Sequence, residues 1–331
     1  MDWNINESKK HTLQIETRII FRLRQMIPKD SLKTKIIILF VGLVLALLTF
    51  SAPSHARIVS DQLGRKISLP EHPRRIVSLA PSITEIIYAL GQQDRLKGVT
   101  LFSDYPDAAK TLPTVGSYVH LDLEKIVALR PDLCIAIKDG NPKEVIDRLD
   151  SLKIPVYAVD PKNLDSVMET LQEIARLLGA DDKAESLIGR MKARIDRVTS
   201  KIATTDYKPR VFFQIGISPI VSVGSDTFIH EIIVRAGGKN LAAGKIPYPR
   251  FSQEQVLGLS PEVLILTSMA RTGAFERAKA KWERWPQLDA VRLGRIHLVD
   301  SNLFDRPSPR LVEALEVMAR LIHPELFEET Q

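Results

Sequence analysis

The chain has 331 residues, 46 Lys/Arg against 40 Asp/Glu for a formal net charge of +6, and one cysteine. A lone Cys134 excludes an intrachain disulfide framework and a thiolate zinc site. The first 56 residues hold eight basic and four acidic side chains, so the rest carries a net +2, which gives no case for nucleic-acid binding.

Ile36 to Phe50 is a 15-residue apolar stretch, shorter than the roughly 20 residues that span a bilayer. Lys29, Lys33 and Lys35 precede it and Ser54-His55-Ala56 follows it. Basic, apolar and small-residue segments in that order predict a secretory signal peptide cleaved after Ala56. A retained anchor is the competing reading. Residues 1–25 are surplus to such a signal, and a start at Met26 would give one of ordinary length. No cysteine follows the apolar segment, which argues against a lipid anchor.

The remaining 275 residues suit two domains of ordinary size. Ile76–Ala80 reads as a strand and Ser82–Leu90 as a helix, with Ser82 as N-cap and Gly91 past its end. Asp122–Leu129 and Pro142–Leu152 read as helices, Leu133–Ile137 and Val156–Val159 as strands. Cys134 sits in an apolar run, where a free cysteine is usually a small buried residue. From Leu164 to Ile202 apolar residues recur at helical spacing. This is one long helix, or two nearly continuous ones broken around Gly179–Asp182. Strands then resume at Val211–Ile215, Val221–Val223, Val263–Thr267 and Ile296–Val299, with helices at Phe228–Ala236 and Pro309–Ile322. The expected fold is α/β: two Rossmann-like lobes with mainly parallel sheets, joined by a long helix, with a ligand cleft between them. The expected divisions are a leader (1–56), an N-terminal lobe (57–163), a bridge (164–202) and a C-terminal lobe (203–331). A helical bridge is stiff, so opening of the lobes should be limited.

Residues 123–137 (LEKIVALRPDLCIAI) and 253–267 (QEQVLGLSPEVLILT) are one unit written twice, 130 positions apart. Each has an acidic residue on a short amphipathic helix, Glu124 or Glu254, then Leu-x-Pro, then an apolar strand. Both carboxylates should project from their lobes' cores. Either each only favours its helix N-terminus through the dipole, or the pair presents equivalent charges to one partner.

Loops at strand ends, the usual ligand side of parallel α/β units, gather aromatic rings, prolines and neutral hydrogen-bonding groups. They include Pro81 and Ser82, Phe102, Tyr118, Lys138-Asp139-Gly140-Asn141, Pro247-Tyr248-Pro249, and Phe304, Asp305 and Arg306. Such a lining suits a flat macrocycle with amide groups on its rim. The bland alternatives are half-buried aromatics, a helix cap at Ser82 and a surface pair between Arg306 and Asp305.

The stretches RIVSLAPSITEI (75–86), SDYP (103–106), LEKIVALRPDLCIA (123–136), RVFFQIG (210–216), AGGKN (236–240), IPYPRFSQEQVL (246–257) and FDRPSPR (304–310) resemble the periplasmic vitamin B12-binding proteins of ABC importers, a helix-bridged group. The resemblance implies an exported, monomeric receptor that delivers a corrinoid, cobalamin above others, to an inner-membrane permease dimer. It implies cleft positions at Phe102, Tyr118, Tyr248 and Arg306, and permease contacts at Glu124 and Glu254. It implies no cofactor other than the transported ligand. The family's tryptophans at the positions of Tyr118, Ile137, Tyr248 and Leu303 are replaced here, two of them by non-aromatic residues.

A receptor for haem or a ferric siderophore is the alternative, with His120 as a possible iron ligand. A chelatase-like enzyme would need His120 paired with Asp122 or Asp104. Nucleophile-elbow, phosphate-loop and His-Glu-x-x-His motifs are absent from the sequence, so no catalytic residue is expected.

Overall fold

The computed structural model describes Phe40 and residues 56–268 and 273–327. The expected signal segment and surplus extension lie outside the described residues. The N-terminal elements are β1 (Ala56–Ser60), β2 (Lys66–Pro70), β3 (Ile76–Ser78), α1 (Pro81–Ala89), β4 (Leu96–Gly98), β5 (Gly116–Ser117), β6 (His120–Leu121), α2 (Leu123–Ala128), β7 (Leu133–Ile137), α3 (Lys143–Ser151) and β8 (Val156–Val159). Two helices follow, α4 (Leu164–Leu178) and α5 (Asp181–Ile202). The C-terminal elements are β9 (Arg210–Gln214), β10 (Gly216–Ile217), β11 (Ile220–Val221), α6 (Phe228–Arg235), β12 (Lys239–Asn240), β13 (Arg250–Phe251), α7 (Gln253–Leu259), β14 (Val263–Ser268), α8 (Ala274–Trp282), α9 (Asp289–Arg292), β15 (Ile296–Asp300), α10 (Ser301–Phe304), α11 (Leu311–Ile322) and α12 (Pro324–Phe327).

Each lobe has a four-stranded parallel sheet, and the two share one topology. The orders are β4-β3-β7-β8 and β12-β9-β14-β15, so in both the first strand lies between the second and the third. Strand alternation splits the apolar residues cleanly, as the two-residue period requires. Leu133, Ile135 and Ile137 of β7, Val211 and Phe213 of β9, and Val263 and Ile265 of β14 enter one core cluster with α1, α4, α5, α6 and α11. Cys134 and Ala136 pack on the opposite face of the first sheet, and Phe212, Leu264 and Leu266 on that of the second. One core thus runs through both lobes, which restrains their separation. Cys134 is buried on that opposite face, and burial pushes its thiol pKa up.

The segment 164–202 is two helices rather than one. Asn163 and Ser166 form a reciprocal cap at the start of α4, and Gly179 ends it at φ 66°, a conformation suited to glycine. Gln172 Nε2 donates to Asp181 Oδ1 at 3.1 Å, yet nine residues of straight helix would rise about 13.5 Å. The chain therefore turns at Gly179, with α4 packed on α1 and α5 on α6 and α11. The start of α4 is tied to the C-terminal lobe, because Glu231 Oε2 accepts from the Leu164 backbone N–H.

The β1–β2 turn, unanticipated in sequence, closes the outer edge of β8. Gln62 N–H donates to Ala158 O, Ala158 N–H to Asp61 Oδ2, and Asp160 N–H to Gln62 Oε1. Unpaired strand groups are thereby satisfied.

Candidate functional site

The repeated unit occupies the same place in both lobes, entering the third strand of each sheet. Asp122 and Ser252 cap α2 and α7 by accepting from the backbone N–H three residues on. Ile126 and Val256 are the buried residues of these helices. The middle residue of Leu-x-Pro takes a left-handed conformation in both, Arg130 at φ 48° and Ser260 at φ 47°. An arginine at the start of each lobe's first strand holds the turn's carbonyls: Arg75 donates to Leu129 O and Arg130 O, and Arg210 to Ser260 O. The acid after each proline returns the bond, Asp132 accepting from Arg75 N–H and Glu262 from Arg210 N–H. Much of the repeat is therefore spent on one helix-to-strand turn. Glu124 and Glu254 take no part in that turn; both are exposed at the second helical position. The Glu254 pKa is lowered by its hydrogen bond with Ser252 and by its own backbone N–H.

The sheet order reverses between β3 and β7 and between β9 and β14, the points at which ligands lie in open α/β sheets. In the first lobe the loops there are pinned by Asn141. Its amide donates to Leu79 O and Tyr118 O, and its Oδ1 accepts from Ile137 N–H. Tyr118 is half-buried on Gly140, where a Cβ would sit 2.4 Å from the ring, so glycine is required there for close approach. From the other lobe Tyr248 is 40% exposed, and its hydroxyl donates to Asp139 Oδ2 at 2.6 Å. Burial, then the Asp305 and Asp139 charges, raise the Tyr118 pKa. Burial, the Asp139 hydrogen bond and the charge of Asp139 raise that of Tyr248, with smaller contributions from Tyr118 and Asp305. Tyr118 on Gly140 and Tyr248 on Asp139 thus meet the same loop, one from each lobe.

Beside it lies a buried joint between the lobes. Arg306 is 7% exposed and Glu85 3%. Arg306 donates to Glu85 Oε1 at 2.9 Å, to Asp104 Oδ1 at 2.9 Å, to Phe102 O at 2.8 Å and to Asn302 Oδ1 at 2.5 Å. Ser308 donates to Glu85 Oε2 at 2.6 Å, Arg310 lies 3.7 Å from Glu85, and the Arg310 guanidinium sits 4.0 Å from the Tyr105 ring centre. Desolvation raises the Glu85 pKa against the pull of Ser308, Arg306 and Arg310. Three of the stretches singled out in sequence, 75–86, 103–106 and 304–310, are parts of this one joint.

These positions revise several expectations. Ser82 does not cap α1: the helix starts at Pro81, Ala80 is its N-cap, and Pro81 and Ser82 are both buried in the first turn. Phe304 does not line the cleft; it is 1% exposed and packs on Phe213 with ring centres 6.0 Å apart. Arg306 makes no surface pair with Asp305, since its guanidinium is committed to the joint. Phe102 is half-buried, its carbonyl bonded to Arg306. His120 is exposed, Asp122 is engaged with Lys125 and Asp104 with Arg306, so the carboxylates proposed to pair with it are occupied elsewhere. No group of three or more His, Cys, Asp or Glu among the described residues is arranged to hold a metal. Ile137 and Leu303, the non-aromatic replacements, are buried. Glu85 escaped the sequence reading, although a lone carboxylate on the apolar helix PSITEIIYA was a signal of a buried partner.

The periplasmic binding protein family matches the chain over residues 76–303. The vitamin B12-binding protein of Yersinia pestis (strain Pestoides F) is 30% identical over 273 residues, covering 82% of this chain and 93% of its own. The crystal structure of the periplasmic vitamin B12 binding protein BtuF of Vibrio cholerae is similar with a TM-score of 0.68 at 29% identity, covering 77% of this chain and 99% of that one. A periplasmic heme binding protein from Pseudomonas aeruginosa is similar with a TM-score of 0.70 at 28% identity, covering 76% and 93%. With its paired parallel sheets and a match spanning both of them, the chain belongs to the periplasmic binding protein family.

Proposed function

We propose that this is an exported, monomeric receptor that captures a corrinoid, most simply cobalamin, and delivers it to an inner-membrane ABC permease without chemistry on the ligand. The observation that carries the reading is that Tyr118 and Tyr248, one from each lobe, meet neighbouring residues of a single loop, Gly140 and Asp139, at the strand ends where the sheet order reverses. Two rings with backbone and neutral polar groups around them suit the faces and rim of a corrin. Pro81, Ser82, Phe102 and Asp305 complete the proposed lining, and Arg306 supports it from behind. The B12 receptors among its relatives support this ligand. The haem-binding neighbour keeps haem as the second reading. In that reading the axial ligand would be a tyrosine of the pair, Tyr118 or Tyr248, rather than His120, which is exposed.

The deciding experiment is titration of the purified protein with cobalamin, haem and a ferric siderophore in parallel, followed by visible absorption. A corrinoid complex is expected, weakened by about 2–4 kcal/mol when Tyr118 and Tyr248 are both replaced by alanine. Saturation by haem alone would overturn the reading. Glu124 and Glu254, exposed at equivalent places, suit a two-fold partner. Replacing both by alanine is expected to leave ligand affinity intact and to abolish most permease docking; unchanged docking and uptake at physiological salt would remove them from that role. The functional species is expected to begin at Arg57 or within a few residues of it, which N-terminal sequencing of exported material checks.

A further inference from the structure

α2 and α7 hold six and seven residues, too few to persist as helices on their own. Both are clamped instead, by a side-chain cap at one end and by the arginine-held left-handed turn at the other. Residues four apart share a helix face, so Glu124 stands beside Ala128 and Glu254 beside Gly258. All four are exposed, on the side away from the buried Ile126 and Val256. Glycine weakens a helix relative to alanine, and nothing within the chain requires one at position 258. Its φ is not positive, and a Cβ there would meet no atom within 4 Å. Gly189 on α5 is equally free, but it has no counterpart in the other lobe. Gly258 has one in Ala128, at the same place in the repeat. The nearby charges leave the acids available: Lys125 is held by Asp122 at 3.2 Å, and Gln255, exposed beside Glu254, is neutral.

We propose that Ala128 and Gly258 are docking-specificity residues, kept small so that the permease can bring its backbone close to each helix. With the acid one turn away, each then forms a seat for one cationic side chain of that two-fold partner. The inference rests on the reading of Glu124 and Glu254 as permease contacts and adds to it the shape of the two seats. Charge decides what enters, since each seat offers a carboxylate to an arginine or lysine. Size decides how near it comes, and an ion pair from which water is excluded attracts more strongly than one held apart. A longer side chain at 128 or 258 would stand between the partner's backbone and the helix. The clamps at both ends hold each seat in place before the partner arrives, which lowers the ordering cost of docking.

The test replaces Ala128 and Gly258 together by glutamine, which is uncharged, longer and well suited to a helix. Docking to the ABC permease reconstituted in nanodiscs is measured at physiological salt, beside cobalamin affinity and urea unfolding. The double variant should dock at least tenfold more weakly, with cobalamin affinity unchanged within twofold and a urea midpoint no lower than the wild type's. A merely structural role would lower the midpoint instead. Docking of the folded double variant within twofold of the wild type would overturn the inference, and each single glutamine variant is read the same way if the pair does not fold. Gly258→Ala should raise the urea midpoint; a lower one would reveal an internal need for glycine and overturn the inference too. Glu124→Ala plus Glu254→Ala is run in parallel. If it docks as the wild type does, the permease reading of the acids falls and the inference with it. If it loses docking while the glutamine pair does not, only the inference falls.

Discussion

Two of the side-chain contacts between the lobes differ in the water they meet. Glu85 and Arg306 meet in a site closed to solvent, with Ser308, Asp104 and a backbone carbonyl satisfying what remains of each. Tyr248 and Asp139 meet in the open, through one hydrogen bond. The first contact is expensive to break because each partner would be stranded. The second exchanges readily with water. The lobes are therefore joined by one fastening that is costly to break and by another contact that exchanges with water. The continuous core through α4 and α5 agrees with this division.

The largest effect is expected where that fastening is cut. Arg306→Ala leaves Glu85 charged, enclosed and held by Ser308 alone apart from the more distant Arg310, and should cost about 3–5 kcal/mol of stability in urea unfolding. Glu85→Gln should cost less, since the guanidinium keeps Asp104, Asn302 and Phe102 O. A loss below about 1 kcal/mol for Arg306→Ala would show that the joint is not a fastening.

Asp305 sharpens the contrast, because its Oδ1 is buried but has no partner. Its pKa is raised to about 7, chiefly by desolvation, whereas an unfolded aspartate titrates near ~4. The folded state thus holds a proton that the unfolded state releases, and stability from this group is full below about pH 4 and is lost as pH rises through 7. At about 1.4 kcal/mol per pH unit, the difference between wild type and Asp305→Asn should move against the wild type by about 2–4 kcal/mol between pH 4.5 and 7.5. Glu85, also raised, is common to both proteins and cancels in that difference. A difference independent of pH would mean that the carboxyl is solvated after all.

The sequence made the architecture legible because apolar periodicity reports burial directly. β7 and β8 begin and end where the pattern placed them, and the break at Gly179 lay within the span anticipated. Tyr118 and Tyr248 were legible as aromatic residues in strand-end loops, and the structure sets them on neighbouring residues, Gly140 and Asp139. What stayed hidden was pairing across distance. Glu85 and Arg306 are 221 positions apart, and nothing local to FDRPSPR distinguishes an arginine that meets a ligand from one that meets a buried glutamate. Phe304 failed for a related reason, because a short helix turns its ring onto Phe213 rather than outward. The doubled LEKIVALRPD and QEQVLGLSPE was legible as a repeat, but its physical cause, an arginine and an acid locking a left-handed turn, needed coordinates.

The smallest effect is expected at the open contact, and it is the one that tests the comparison most directly. Tyr248→Phe keeps the ring and removes only the hydroxyl that reaches Asp139. Burial and then the Asp139 bond raise the Tyr248 pKa, so the phenol remains a donor throughout neutral pH and this contact should add no pH dependence of its own there. In the variant Asp139 is exposed and regains water, leaving no stranded charge. Loss of one solvent-accessible hydrogen bond should therefore cost less than about 1 kcal/mol in urea unfolding, several-fold less than Arg306→Ala. If Tyr248→Phe instead cost about 3 kcal/mol, the Tyr248 contact would be as much a structural joint as the Arg306 one, and the contrast between them would fall.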